Sequence, residues 1–254
     1  MGDIVTMDDL TNQEIVAVLD DAERLVPVAR GDVYLPLLQG KVLANMFFEN
    51  STRTRMSFET AMKRLGGSVL NFTSIGTSVA KGETLYDTMQ MIDGYADVAA
   101  IRHPRQGAAQ YSADAVEIPI LNAGDGAGNH PTQTMLDLFT IRQAHGTLEG
   151  LNVVLVGDLR YGRTVHSLSH ALVRFGAKLT LVSPSTLKMP VEIVSDLREH
   201  GSEIMETDIL EDQIAGADVI YVTRIQKERF PDEDEYAKVA GIYKIGASNL
   251  SGAM

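Results

Sequence analysis

Three hydroxyl groups and two guanidinium groups stand together where the chain passes from a predicted strand into a predicted helix, in the stretch ENSTRTRMSFE. These groups belong to Ser51, Thr52, Arg53, Thr54 and Arg55. The first N–H groups of a helix have no partner within it, and the helix dipole favours an anion there. Arginine at this position opposes the dipole, so the pattern predicts a phosphate site. The alternative is an ordinary serine or threonine cap beside arginines that pair with surface acids.

A second junction of this kind, GDLRYGRT at residues 157–164, differs from a P-loop by Arg163 in place of lysine. It follows a predicted strand and begins a predicted helix, as a P-loop does. The missing lysine and the lack of an evident residue to hold Mg²⁺ disfavour nucleotide binding. The other interpretation from the residues alone is a surface arginine at a helix start.

His166 and His170 have the i, i+4 spacing of a zinc-binding pair. The sequence between them, HSLSH, lacks the glutamate of the H-E-x-x-H motif, and no third ligand is evident. We therefore predict a structural pair of histidines, no metal site and no cofactor.

Composition limits the class of protein. The 254 residues carry a net charge of −12, which argues against a nucleic-acid-binding face. No apolar run reaches the roughly 18 residues of a membrane span, and the acidic N-terminus does not resemble a signal peptide. Since there is no cysteine, disulfides, thiolate metal sites and cysteine nucleophiles are excluded, which fits a cytoplasmic location.

Strand and helix patterns alternate along the chain. A capping box, TNQE at 11–14, begins the first helix, and a later helix runs from Pro131 to a stop at Gly146. This alternation predicts an α/β protein of two domains, each a parallel sheet flanked by helices. We expect one domain at 1–132, an interdomain helix at 133–147 and a second domain at 148–254.

Six motifs occur in order along the chain: STRTR followed by SFE, TSVAKGET, IRHP, NAGDGAGNHPTQT, VGDLRYGRTVHS and YVTRIQKERF. Together they resemble the catalytic chains of the aspartate carbamoyltransferase family from end to end. STRTR and HPTQ also occur in ornithine carbamoyltransferases, whereas GDLRYGRTVHS and TRIQKER favour the aspartate enzymes. The ornithine-binding D-x-x-x-S-M-G pattern is absent.

The resemblance implies transfer of the carbamoyl group of carbamoyl phosphate to the amine of L-aspartate, an early step of pyrimidine synthesis. The residues it assigns to catalysis are Arg53, Thr54, Arg102 and His130. Those assigned to carbamoyl phosphate are Ser51, Thr52, Arg53, Thr54, Thr77, Ser78, Lys81, Arg102, His130 and Gln133. The choice between Thr77 and Ser78 as phosphate ligand stays open. From the residues alone, Arg102 could be a strand-edge residue and His130 a surface or capping residue.

The resemblance assigns aspartate to Lys81, Arg163, Arg224 and Gln226. In the family, the loop that carries the lysine enters the active site of a neighbouring subunit, which implies a homotrimer, and some members bind a regulatory chain. Glu49, Arg163 and Arg229 match residues that bridge the two domains after closure.

The sequence ends at YKIGASNLSGAM, without the Pro-Leu-Pro loop and C-terminal helix of the family. We therefore expect the second domain to be incomplete at its C-terminus and the activity of this chain to depend on that difference. The alternatives are carbamoyl transfer to another amino acid such as ornithine, a truncated inactive binding or assembly homologue, and a P-loop nucleotide binder.

Overall fold

The computed structural model describes residues 2–73, 77–126, 128–225, 236–237, 239 and 241–246. The chain divides into two compact units, Met1–Leu136 and Asp137–Met254. Each unit contains a four-stranded parallel sheet flanked by helices, so the predicted α/β class is confirmed. No helix among these residues is both long enough and apolar enough to cross a membrane.

The sheet of the first unit has the strand order β2-β1-β3-β4. Its strands are β1 Val42–Phe47, β2 Ser68–Thr73, β3 Val98–His103 and β4 Ile120–Asp125. The helices around it are α1 Asn12–Arg30, α2 Thr52–Arg64, α3 Leu85–Asp93, α4 Ala108–Ala113 and α5 Pro131–His145, the last of which contains the division between the units.

Successive side chains of these strands point to opposite faces of the sheet, and both faces are covered. On one face, Met46 and Ile101 pack with Met89 of α3. On the other face, Leu43 packs with Met62 of α2. The apolar runs that predicted buried strands are therefore explained by helices on both sides of the sheet.

The sheet of the second unit has the strand order β7-β6-β5-β8. Its strands are β5 Asn152–Val156, β6 Lys178–Val182, β7 Ile204–Thr207 and β8 Val219–Val222. The helices are α6 Arg163–Val173, α7 Val191–Glu199 and α8 Glu211–Ile214. Val154, Val156 and Val182 form a buried cluster with Leu210 and Ile214 beside α8.

Local signals in the sequence explain where the helices begin and end. The Thr11 hydroxyl accepts the Glu14 N–H at 3.2 Å, and the Glu14 carboxylate accepts the Thr11 N–H at 2.8 Å. This reciprocal pair is the predicted capping box of α1, which ends at Gly31 with φ of +89°.

Candidate active site

The strand order of the first unit determines where its ligand-binding edge lies. From β1 the chain goes to β2 on one side and then to β3 on the other side of β1. Ligands of open α/β sheets bind at the carboxyl ends of the strands where the order reverses in this way. Phe47, the last residue of β1, pairs in register with Arg102, near the end of β3, so the chain leaves β1 towards α2 beside Arg102.

The start of α2 is arranged to accept an anion. Ser51 is the N-cap residue, and its side chain makes no capping hydrogen bond. Among the described residues, neither Arg53 nor Arg55 forms an ion pair with an acidic side chain, and the first turn contains no acid. This arrangement disfavours the alternative of an ordinary cap beside surface ion pairs. Hydroxyl, guanidinium and backbone donors remain at this helix start.

Arg102 lies on an interior strand, because β3 sits between β1 and β4. The interpretation of Arg102 as an edge residue is therefore wrong. Its side chain is 12% exposed; one terminal nitrogen donates to the Ala123 carbonyl at 3.2 Å. The other lies 3.2 Å from a Glu49 carboxylate oxygen, in an ion pair without hydrogen-bond geometry. Its Nε is buried and has no partner among the described residues.

His130 stands at the start of α5 and is 6% exposed, so it is not the surface residue of the alternative interpretation. Its backbone carbonyl accepts the N–H groups of Gln133 at 3.0 Å and Thr134 at 3.1 Å. Its Nδ1 lies 3.3 Å from the Thr132 hydroxyl. These contacts fix His130 and Gln133 within the first turn of one helix.

The loop before His130 is held by the buried carboxylate of Asp125, which ends β4. Asp125 accepts the Asn129 N–H at 2.9 Å and the Gly107 N–H at 2.7 Å. Gly126 has φ of +52°, and a Cβ there would lie 2.7 Å from the Gln106 nitrogen. Glycine is required by this close approach, which brings the loop against the segment after β3.

The segment after β2 contains a 3₁₀-helix, Ser78–Lys81. Thr77 is its half-buried N-cap, whereas Ser78 and Lys81 are exposed. Gly82, with φ of +96°, ends this single turn. Both hydroxyls lie at the same helix start, so the choice between Thr77 and Ser78 remains open.

The second sheet has a reversal of its own, between β5 and β8. Arg163 is the first residue of α6 after β5, and Arg224 follows the end of β8. The Thr223 N–H donates to the Val156 carbonyl at 2.8 Å, so the two segments leave the sheet side by side. Gln226 and Arg229, also expected in this region, lie outside the described residues.

The loop between β5 and α6 has a carboxylate at its centre. Asp158 is fully buried; its Oδ1 accepts the Tyr161 N–H at 2.9 Å, and its Oδ2 has no partner among the described residues. A buried carboxylate would repel a phosphate group held by the same loop. This geometry disfavours the P-loop interpretation.

The two histidines of α6 have structural partners. His166 Nε2 lies 2.8 Å from the Leu159 carbonyl, and His170 Nδ1 lies 2.8 Å from the His166 carbonyl. His170 Nε2 lies 2.9 Å from a carboxylate oxygen of Asp196. Burial lowers the pKa of His166. The described part of the chain contains no group of three residues that could hold a metal ion.

A buried polar network behind α2 was not predicted from the sequence. Asn45, fully buried in β1, donates its side-chain amide to the Arg55 carbonyl at 3.1 Å and to Asn71 at 3.0 Å. Asn71 donates in turn to Glu59 at 3.1 Å. The available signal was a single asparagine within the apolar run VLANMF. The network ties the first turn of α2 to the sheet.

Two family models match almost the whole chain. The carbamoyl-phosphate-binding domain of aspartate/ornithine carbamoyltransferases matches residues 2–143. The aspartate/ornithine-binding domain of the same enzymes matches residues 149–253.

Individual relatives agree with these models. The aspartate carbamoyltransferase catalytic subunit of Methanothermobacter thermautotrophicus is 52% identical over 249 residues, which are 98% of this chain and 80% of that protein. The solved catalytic subunit of M. jannaschii aspartate transcarbamoylase has a TM-score of 0.92 at 48% identity, over 99% of this chain and 83% of that one. Aspartate transcarbamoylase of Trypanosoma cruzi, solved with carbamoyl phosphate and aspartate, has a TM-score of 0.92 at 40% identity, over 100% and 82%.

The resemblance drawn from the six sequence motifs is thus confirmed by similarity in sequence and in structure along nearly the whole of this chain. The chain belongs to the aspartate/ornithine carbamoyltransferase family.

Proposed function

We propose that this chain transfers the carbamoyl group of carbamoyl phosphate to the amine of L-aspartate, giving N-carbamoyl-L-aspartate and phosphate for pyrimidine synthesis. One observation carries the proposal: each sheet has cationic side chains where its strand order reverses. These are Arg53 and Arg102 in the first unit, and Arg163 and Arg224 in the second. The relatives, which are named aspartate carbamoyltransferase catalytic subunits, support the same activity.

The phosphate of carbamoyl phosphate would bind at the start of α2. Ser51, Thr52 and Thr54 supply hydroxyl donors, and Arg53 supplies a charged fork. The helix dipole adds to this attraction because its positive end faces the anion. In the family, a serine or threonine of the segment after β2 joins this site, a role we assign to Thr77 or Ser78.

The carbamoyl oxygen would lie among Thr54, Arg102 and His130. As the amine attacks the carbamoyl carbon, this oxygen gains negative charge, which these donors stabilise. Gln133 would hold the carbamoyl nitrogen. The new C–N bond forms, the bond between the carbamoyl carbon and the phosphate oxygen breaks, and the leaving phosphate accepts the amine proton. The reaction requires no protein nucleophile.

Aspartate would bind at the second reversal through its two carboxylates. Arg163 and Arg224 each offer a bidentate fork, which fixes the orientation of the substrate as well as its charge. Gln226 and Lys81 complete the proposed set. Ornithine has one carboxylate and a cationic side chain, so a second arginine would repel it. This favours aspartate over ornithine as the acceptor.

The wider organisation is also a proposal. We place one domain at 1–132, the interdomain helix at 133–147 and the other domain at 148–254. Lys81 is exposed and follows β2, which is an edge strand. Such a position suits donation of this lysine to a neighbouring subunit of a homotrimer in the cytoplasm, with or without a regulatory chain.

The activity can be tested by calorimetric titration with carbamoyl phosphate, followed by succinate as an aspartate analogue, and by a colorimetric assay of carbamoyl aspartate. We expect carbamoyl phosphate to bind first and succinate to bind after it. Arg53→Ala should lower turnover by orders of magnitude. Arg64→Ala, which removes an arginine from the last turn of the same helix, is the matched control. A folded protein that binds neither ligand, or equal turnover in both variants, would contradict the proposal.

A further inference from the structure

We propose that Tyr221 is a positioning residue for the aspartate-binding arginines: its hydroxyl group ties the start of α6 and the end of β8 to helix α5. The inference rests on the proposed function and deepens it. No motif assigns Tyr221 a role, and its side chain is not expected to touch the substrate.

Two side chains next to the Tyr221 hydroxyl support the inference. The hydroxyl donates to a carboxylate oxygen of Asp137, in α5, at 3.1 Å. The Thr164 side chain, in the first turn of α6, is close enough to lower the pKa of the same hydroxyl. The three side chains therefore lie together, one each from α5, β8 and α6, entirely within the second unit.

The protonation state of Tyr221 matches this arrangement. Burial, with a further contribution from the charge of Asp137, raises the pKa of Tyr221 to about 12. The phenol therefore keeps its proton near neutral pH and can donate to Asp137. A hydrogen bond to a carboxylate is stronger in this partly buried setting than in water.

Thr164 and Tyr221 are close in sequence to the two arginines. Thr164 directly follows Arg163 in the first turn of α6. Tyr221 lies three residues before Arg224, and it pairs in register with Leu155 of β5. One hydroxyl thus joins the backbone segments that carry both guanidinium groups. A displacement of about 1 Å in a binding group can cost a hundredfold in rate.

Tyr221→Phe tests the inference, because it removes the hydroxyl and keeps the ring. We expect the KM for aspartate to rise about tenfold, as the loss of one hydrogen bond of this kind predicts. Binding of carbamoyl phosphate should not change, since all the residues proposed to bind it lie in the first unit. The melting temperature should fall by about 2–4 °C, because a hydrogen bond of this kind contributes about 1 kcal/mol to stability.

Tyr243→Phe is the matched control. The Tyr243 hydroxyl donates to the Asp208 carbonyl at 3.1 Å, also within the second unit. Burial raises the pKa of Tyr243 to about 12 as well. This variant loses a similar hydrogen bond, but one that does not join the segments of Arg163 and Arg224. Its KM for aspartate should equal that of the wild type.

Two further variants separate positioning from stability. Asp137→Asn keeps an acceptor oxygen for the tyrosine and should retain most of the affinity for aspartate. Thr164→Val should raise the KM for aspartate. The double variant with Tyr221→Phe should raise it no further than the larger single effect, because both substitutions disrupt the same set of contacts.

The inference is overturned if Tyr221→Phe leaves the KM for aspartate unchanged, or if Tyr243→Phe raises it equally. It is also overturned if the effects of Thr164→Val and Tyr221→Phe add in full. Failure of the proposed function has a different signature: the wild type itself then forms no carbamoyl aspartate and binds neither carbamoyl phosphate nor succinate. That result would remove both proposals.

Discussion

Arg102→Met tests most directly whether the strand reversal of the first unit is a catalytic site. Methionine has an unbranched side chain of comparable length, but it carries neither charge nor donors. The guanidinium group of Arg102 is mostly buried, and its Nε has no partner among the described residues. A buried donor of this kind costs free energy unless a ligand uses it. We therefore infer that Arg102 is kept for binding and catalysis.

The expected effect on folding is moderate. The substitution removes one hydrogen bond, to the buried Ala123 carbonyl, and an ion pair with Glu49, whose side chain is 40% exposed but whose Oε2 is buried without a hydrogen bond. Because these two oxygens lose their cationic partner, the free energy of unfolding should fall by about 1–3 kcal/mol. The effect on chemistry is measured separately, in the molecules that stay folded, where removal of one oxyanion donor typically costs about 2.7–4 kcal/mol, or 10²–10³ in kcat.

The assay is steady-state formation of carbamoyl aspartate at saturating concentrations of both substrates, with urea unfolding as the test of the fold. Arg105→Met is the control, since Arg105 is an exposed arginine of the segment that follows β3. This variant should keep its wild-type kcat. The reasoning is refuted if folded Arg102→Met retains kcat within about threefold of the wild type, because a donor in the oxyanion site cannot be worth so little.

Three further predictions concern the fold. Gly157→Ala should destabilise the second unit in urea by about 1–3 kcal/mol or more, because Gly157 has φ of +116° and a Cβ there would lie 2.3 Å from the Thr223 carbonyl oxygen; an unchanged midpoint would disprove the close approach. Burial lowers the pKa of His166 in the folded state. The unfolded state therefore binds more protons, so this residue should reduce stability as pH falls below about 6.5 and have no such effect above it. Urea unfolding from pH 7.5 to 5 should show a weaker dependence for His166→Gln, and identical curves would contradict the assignment. Thr11→Ala removes the cap of α1 and should cost about 0.5–2 kcal/mol in thermal unfolding; Asn12→Ala, just inside the helix, is the comparison variant.

Much of the fold could be predicted from the sequence because its signals are local. The capping box at Thr11 and Glu14 appears in the structure as predicted, and α5 ends at His145, before the predicted stop at Gly146, whose φ of +77° is one that glycine tolerates. The alternation of apolar runs and amphipathic segments predicted the parallel sheets, since each such segment needs a partner face for burial. The segment 78–81 is the exception, because a single 3₁₀ turn has too few residues to show a period.

The cationic segment at Arg53 and Arg55 could also be recognised as an anion site, because an arginine in the first turn of a helix opposes the dipole whatever surrounds it. The sequence motifs alone were sufficient to indicate the family, which the matching family models and the relatives confirm. The role of each residue at the proposed site stays a prediction.

Only the tertiary structure decided which strand is interior and which side chains meet. Arg102 could not be distinguished from an edge residue until the order β2-β1-β3-β4 was known, because strand order depends on packing between distant segments. The same holds for Asn45 in β1, whose buried side-chain amide donates to the Arg55 carbonyl in α2. Tyr221 and Asp137 are 84 residues apart in sequence and 3.1 Å apart in space. Helix and strand periods arise from neighbouring residues, whereas such contacts arise only when complete elements pack against one another.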